Sequence, residues 1–324
     1  MLLEPTGFTE LVGCRLPIQQ AGMGGVSTVE LAAAVAEAGG LGMVAPHGAT
    51  PEQVAAELDA IAASTTGSFG INFLIPFVAA EAVEAAAMHC RYIEFFYGEP
   101  DAALVRRASA GGARVGWQVG SADEAARAID AGCDLVVAQG IEAGGHVRGT
   151  VGLLPTLDAV LDRVDVPVVA AGGIATARVF AAVLAAGASG ARVGTLFVTA
   201  VESGAHPDYV AALLAADGTD TVLTEAFGVG WRNAPHRVLR SCVDAATAFA
   251  GDEVASIRTP YGPRPIGRFS PEPPELGTSG TVTAMALYAG QGVGGARQAR
   301  PAGQIVAELA AGTAALLGSA TLPR

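Results

Sequence analysis

The stretch QGIEAGGHVRG, Gln139 to Gly149, places an amide, a carboxylate, two adjacent glycines, an imidazole and a guanidinium directly after the apolar run Leu135-Val136-Val137-Ala138. Histidine is the side chain whose ordinary pKa allows proton movement near neutrality. Glycine, lacking Cβ, lets a ligand lie close to the backbone. His146 is therefore the candidate catalytic residue, placed to hydrogen-bond or deprotonate a substrate over Gly144 and Gly145. Glu142 reads either as a base or as a turn-stabilising carboxylate. Arg148 reads either as an attractor of anionic substrate or as a solvated loop arginine. His47 also follows an apolar run, and its role stays open. His89, His206 and His236 read as structural or exposed.

Composition narrows the chemistry. All 19 cationic residues are arginine. Without lysine there is no Schiff base, no pyridoxal phosphate anchor and no Walker A motif. A net charge of −12 disfavours nucleic acid and anionic membranes as partners. No apolar run approaches the roughly 18 residues of a membrane span. The N-terminus MLLEPTGFTE has neither a basic region nor an apolar core of a secretory signal, so a soluble cytoplasmic protein is expected. Cys14, Cys90, Cys133 and Cys242 are scattered and read as small buried hydrophobes in a reducing compartment.

The elements that must position His146 follow one repeated grammar. A short apolar run ends in Gly or Pro, an Ala-rich helical stretch follows, and it stops at Ala-Gly. Eight strands are predicted: Ile18 to Met23, Leu41 to Ala45, Phe69 to Ile75, Tyr92 to Tyr97, Arg114 to Val119, Leu135 to Gln139, Pro167 to Ala171 and Gly190 to Leu196. Ser27, Thr50, Ser121 and Thr176 are the expected helix N-caps, with Pro51 at a first helical position and Glu124 at a capping-box position. Eight strand–helix units in about 200 residues predict an α/β fold, a (β/α)8 TIM barrel; a doubly wound sheet is the runner-up and would usually show an early GxGxxG. Residues 211–269 break the repeat and read as a small inserted domain, with 1–210 and 270–324 forming the barrel. Residues Thr281 to Leu317 are expected to give one or two helices that pack back.

Barrel chemistry sits at the C-terminal strand ends. Those ends carry Gln20 and Met23, Pro46 and His47, Asn72, Gln118 and Gln139, then Gly172-Gly173 in AAGGI and Gly194-Thr195 in RVGT. Neutral amides predominate, so neither a metal site nor a paired-carboxylate glycosidase is expected. Glycine loops after the seventh and eighth strands suit a phosphate held by backbone N–H groups. Asn72, Gln118 and Gln139 suit the ring and ribityl chain of a flavin, which makes FMN the best-fitting cofactor.

At this point the sequence resembles the nitronate monooxygenases, formerly called 2-nitropropane dioxygenases. The resemblance is carried in order by PIQQAGMGGVSTVELAAAVAEAGGLGMV, FGINFLIP, AQGIEAGGH, PVVAAGGI, GARVGTLFVTAVES and YAGQGVG. It implies a barrel with a small second domain and non-covalent FMN. It implies FMN contacts at Asn72, Gln139, Gly144, Gly173, Arg192, Val193, Gly194 and Thr195, with Gly290, Gln291 and Gly292 closing the site. Ala21, Gly22, Met23, Gln118, Gly145 and Gly172 complete the expected cofactor set. His146 matches the histidine that the family places near the reactive edge of the flavin. The chain departs from the family pattern in reading HVRG for HRG and QAGM for QAPM, both on the substrate side.

The resemblance implies oxidation of alkyl nitronates by O2 to carbonyl compounds and nitrite. Three rivals remain: an NAD(P)H-dependent FMN reductase acting on an enoyl thioester or quinone, a barrel isomerase or synthase whose glycine loops hold a substrate phosphate, and a non-enzymatic flavin-binding or structural protein. A homo-oligomer is left open.

Overall fold

The computed structural model describes residues 3–259 and 262–318. Eight parallel strands form one sheet: β1 (Ile18–Gln20), β2 (Gly42–Val44), β3 (Phe69–Leu74), β4 (Tyr92–Phe96), β5 (Arg114–Val119), β6 (Leu135–Gln139), β8 (Val168–Ala171) and β9 (Gly190–Val193). The short β7 (Gly145–His146) lies outside it. The sheet runs β1-β9-β8-β6-β5-β4-β3-β2. It closes through a parallel bridge between Gln19 and Leu41. The chain is thus a (β/α)8 TIM barrel, as its alternating pattern predicts. Every predicted strand is present, several shortened at their ends.

Period-two alternation explains what each strand carries. In β4, Ile93 and Phe95 pack outward against the helical layer, while Tyr92 and Glu94 face the barrel interior. In β5, Val115, Trp117 and Val119 pack outward, leaving Gln118 inside. The outer layer is one large apolar cluster joining strands to helices. Burying each of its larger side chains contributes about 1.5–3 kcal/mol. Inside, Tyr92 fits because Gly116 has no Cβ where the phenol lies. Helix α1 (Gly7–Val12) brings Phe8 and Val12 to an apolar cluster with Leu41, Met43, Leu135, Val137 and Val169.

The caps largely follow the sequence. Thr50, Ser121 and Thr176 accept from the backbone N–H three residues on. Two details differ. The cap of α2 (Val29–Glu37) is Thr28, because Ser27 Oγ is taken up by Met23 N–H and the Gln20 amide. Glu124 accepts from Gly120 N–H rather than closing a capping box on Ser121. The four cysteines are buried and unpaired.

The segment after β9 builds two small antiparallel sheets. The first contains β10 (Thr221–Thr224) and β11 (His236–Leu239), and β11 pairs with β7. The second contains β12 (Glu253–Thr259), β13 (Gly262–Gly267) and β14 (Thr278–Gly280). Their apolar faces share a second core that includes Tyr209, Leu213, Phe227, Val238, Ile257, Met285 and Val293. That core therefore draws on residues on both sides of 211–269. Ala302–Gly318 forms a helix packed against the barrel helices Ala177–Ala185 and α2. No described helix is long and apolar enough to cross a membrane.

Candidate active site

The C-terminal strand ends open into a cavity of about 710 Å3, within the roughly 300–1,000 Å3 usual for ligand sites. Its walls include Ala21, Gly22 and Met23 after β1, Asn72 in β3, Gln118 in β5 and Gln139 at the end of β6. Gly144, Gly145 and His146 line it from the next loop, Gly172 and Gly173 from the loop after β8, and Arg192, Gly194 and Thr195 from β9 and beyond. Gly290 and Gly292 reach it from the C-terminal segment.

Two predicted residues are placed elsewhere. Val193 alternates outward into the helical layer, and its carbonyl accepts from Ala21 N–H at 2.8 Å. The Gln291 side chain is exposed; its backbone N–H donates to the Glu142 carbonyl at 2.9 Å. What AGQG supplies is a backbone able to pass between glycines. A Cβ on Gly144 would stand 2.5 Å from the Gly290 nitrogen, and one on Gly290 would stand 2.9 Å from the Gly144 nitrogen. Gly290 N–H donates to Thr195 Oγ1 at 3.0 Å. Three separate loops are thereby locked together around one space.

His146 owes its position to tertiary pairing. It stands opposite His236 across the β7–β11 ladder. Its carbonyl accepts from Gln139 Nε2 at 2.9 Å, and Gln139 Oε1 accepts from Arg148 N–H at 3.1 Å. Gln139 thus lines the cavity while fixing the loop. The added residue of HVRG, Val147, is buried and donates to the Pro235 carbonyl. The imidazole stacks on Trp231 at 3.9 Å between centroids and 22° between planes. His236 lies 5.2 Å and Tyr288 5.8 Å away.

Among the described residues, His146 Nε2 is buried without a hydrogen-bond partner. Burial, reinforced by His236 and His47, holds the imidazole neutral and pushes its pKa down to about 3. Burial also lowers His236 and His47. His236 accepts from Phe227 N–H through Nε2 and bonds the Ala234 carbonyl through Nδ1, so it backs the site structurally.

Glu94, which no strand-end motif singles out, organises the floor. Its carboxylate accepts from Gln19 Nε2 at 2.8 Å, Asn72 Nδ2 at 2.7 Å and Tyr92 Oη at 2.9 Å, and pairs with Arg192. Arg192 also donates to Gln118 Oε1. Both ions are almost wholly buried. The Arg192 side chain is therefore part of the floor. A charged residue inside an otherwise apolar strand, YIEFF, is the signal that would have found Glu94.

The open readings of the loop resolve. Glu142 is a turn carboxylate, accepting from Leu153 N–H at 2.9 and 3.0 Å. Arg148 is engaged by Glu124 and Glu99 at 2.7 and 2.8 Å. His47 lines the cavity. His89 pairs with Asp59, and His206 caps the helix Pro207–Ala215.

The chain that builds this site matches a family profile. The nitronate monooxygenase profile aligns with residues 6–312. The chain belongs to the nitronate monooxygenase family. Members of this family are flavin-dependent oxidoreductases, and this chain is an enzyme of that class. The Staphylococcus aureus (strain Newman) protein named Probable nitronate monooxygenase is 31% identical over 267 residues, covering 68% of this chain and 75% of that protein. The (3aS,4S,5R,7aS)-5-hydroxy-7a-methyl-1-oxo-octahydro-1H-indene-4-carboxyl-CoA dehydrogenase of Mycobacterium tuberculosis is 36% identical over 242 residues, covering 73% of this chain. That match spans 66% of the relative's length, just short of two thirds.

Among solved structures, nitroalkane oxidase from Streptomyces ansochromogenes superposes with a TM-score of 0.80 at 32% identity, covering 97% of this chain and 99% of the other. FabK from Thermotoga maritima superposes with a TM-score of 0.83 at 28% identity, covering 98% of each chain.

Proposed function

We propose that this member of the nitronate monooxygenase family binds FMN and oxidises alkyl nitronates with O2 to carbonyl compounds and nitrite, with His146 as the catalytic residue. The observation that carries the reading is the buried, partnerless His146 Nε2 beside the Gly144–Gly145 backbone on the cavity wall. A buried polar atom without a partner calls for a functional explanation.

The residues present fit a flavin mononucleotide. The cavity has the size for it, and glycine at positions 144 and 290 lets two of its walls close against each other backbone to backbone. Gly172 and Gly173, with φ of 117° and 68°, and the turn Gly194-Thr195 offer backbone N–H groups to the phosphate. Asn72 and Gln118, held by Glu94 and Arg192, would meet the ring and ribityl chain. Bound FMN supplies the electron-accepting chemistry that the side chains lack.

The chain's own part is position, charge and exclusion of water. A neutral imidazole donates one hydrogen bond to a nitronate oxygen without bringing a full charge. With a neutral nitroalkane it accepts the α-proton, since an anion forming beside it raises its pKa. The stack on Trp231 keeps the ring in one orientation. Gln139 holds the loop that carries it.

A second reading, an NAD(P)H-dependent FMN reductase, is favoured by one observation: the relative at 36% identity is named as a dehydrogenase of a CoA thioester. Anaerobic stopped-flow separates the two. Rapid bleaching of bound flavin by a nitronate alone, with nitrite once oxygen is admitted, is the expected result. Bleaching by NADH or NADPH alone would move the protein to the reductases. Failure to bind flavin would remove the cofactor assignment.

A further inference from the structure

The cavity has an apolar end and, among the described residues, no unpaired arginine. Beyond the glycine cradle it is walled by Phe77, Trp231, Tyr288 and Pro271. Phe77 meets Trp231 edge-on at 5.0 Å, and Trp231 in turn covers His146. Phe77 is nevertheless 44% exposed, unusually open for so large an apolar side chain.

The charges along the cavity point the same way. Among the described residues only two arginines line it, and each is already neutralised. Arg192 is paired with Glu94 in the floor. Arg264 at the rim is gripped by both oxygens of Glu272, at 3.0 and 2.8 Å. Glu275 adds a further carboxylate to that rim. An incoming carboxylate would find no unpaired arginine among the described residues, only the imidazoles of His47 and His146 whose pKa burial lowers, and would meet Glu272 and Glu275 at the entrance; a buried, unpaired charge is strongly disfavoured. An alkyl or aryl group would find a wall of aromatic and proline surface.

From this arrangement we infer the substrate class, resting on the nitronate monooxygenase reading above: this enzyme selects nitronates whose non-reacting end is apolar, and discriminates against those that carry a carboxylate. Phe77 and Trp231 are the specificity-determining residues for the tail. The Arg264–Glu272 pair is the element that denies a carboxylate its counter-ion.

The test compares kcat/KM, from nitrite release by the flavin-loaded enzyme, for two probes of nearly equal shape. Propionate 3-nitronate carries a carboxylate where isopentyl nitronate carries two methyl groups. Isopentyl nitronate is expected to be preferred by about 100-fold or more, as for a site that must desolvate a charge without pairing it. Along the series from ethyl to pentyl nitronate, kcat/KM is expected to rise about fourfold per methylene, the equivalent of roughly 0.8 kcal/mol. Trp231→Ala should flatten that rise. Glu272→Gln, which frees Arg264, should narrow the gap between the two probes several-fold.

Equal or better turnover of propionate 3-nitronate would overturn the inference while leaving the nitronate reading intact. So would a gap that Glu272→Gln leaves unchanged. Turnover of no nitronate at all would instead remove the reading on which the inference rests.

Discussion

Gly144→Ala is the most direct probe of the closed cradle, because its effect follows from one distance. Gly144 has no left-handed backbone requirement, so the substitution introduces a methyl group and little else. That methyl would stand 2.5 Å from the Gly290 nitrogen and 2.7 Å from the Ala289 carbonyl carbon. Ordinary contact begins at 3.4 Å, so one backbone must retreat by roughly 0.9 Å. Neither can do so locally. Gly290 is tied to Thr195, and Gln291 is tied to Glu142.

Overpacking of this kind costs about 1–3 kcal/mol, a fall in Tm of some 2–4 °C per kcal/mol for a chain of a few hundred residues. A displacement near 1 Å in a reacting site costs on the order of 100-fold in rate. Gly145→Ala is the control. Gly145 has φ of 75° with nothing within 4 Å of its added Cβ, so only backbone strain of about 1–2 kcal/mol applies. Flavin titration, kcat/KM with a nitronate and a thermal melt should show Gly144→Ala losing cofactor affinity and turnover far more than Gly145→Ala. Equal behaviour of the two variants, or wild-type turnover in Gly144→Ala, would refute the argument that backbone contact between these loops builds the site.

Further expectations concern charge and packing. His146→Gln should retain flavin and lower kcat/KM for neutral nitroalkanes by about 10²- to 10⁴-fold, with a smaller loss for pre-formed nitronates; an unchanged ratio would exclude proton transfer by His146. The depressed pKa of His146 also has a stability signature. Between about 6.5 and 3 the unfolded chain binds a proton that the folded protein does not, so this group's contribution is lost as pH falls through that window. The slope of unfolding free energy against pH should therefore drop in His146→Gln by up to about 1.4 kcal/mol per pH unit, read by chemical denaturation between pH 4 and 6.5. Glu94→Gln strands Arg192 and turns an amide toward three donors, and should destabilise by about 3–5 kcal/mol in the same assay. In the helix Ala302–Gly318, Gly303→Ala meets nothing closer than 3.8 Å and should stabilise by up to about 1 kcal/mol, whereas Gly312→Ala would meet Ala177 Cβ at 2.7 Å and should destabilise.

Much of the architecture is legible in the chain itself, because its signals are local. Strand–helix alternation, caps at Thr50 and Thr176, and glycine stops at Gly132 and Gly187 depend on neighbours within a few residues, and they predict the barrel and its reactive end. Once the barrel is set, the strand-end residues must converge, which is why Asn72, Gln118, Gln139 and the glycine loops share one cavity. The rest depended on contacts distant in sequence. Nothing near Glu94 announces a partner 98 residues away, nor that Asn72 and Gln118 hang from the same ion pair. The family motif includes Val193 and Gln291, but alternation turns one outward and loop geometry leaves the other exposed. Trp231 sits in an irregular segment with no periodicity to mark it, and only the β7–β11 pairing brings that segment over His146. The sequence by itself determined the scaffold and the residues able to do chemistry. Burial, stacking and charge pairing, which are properties of the assembled fold, decided that His146 is neutral and that both arginines lining the cavity are paired.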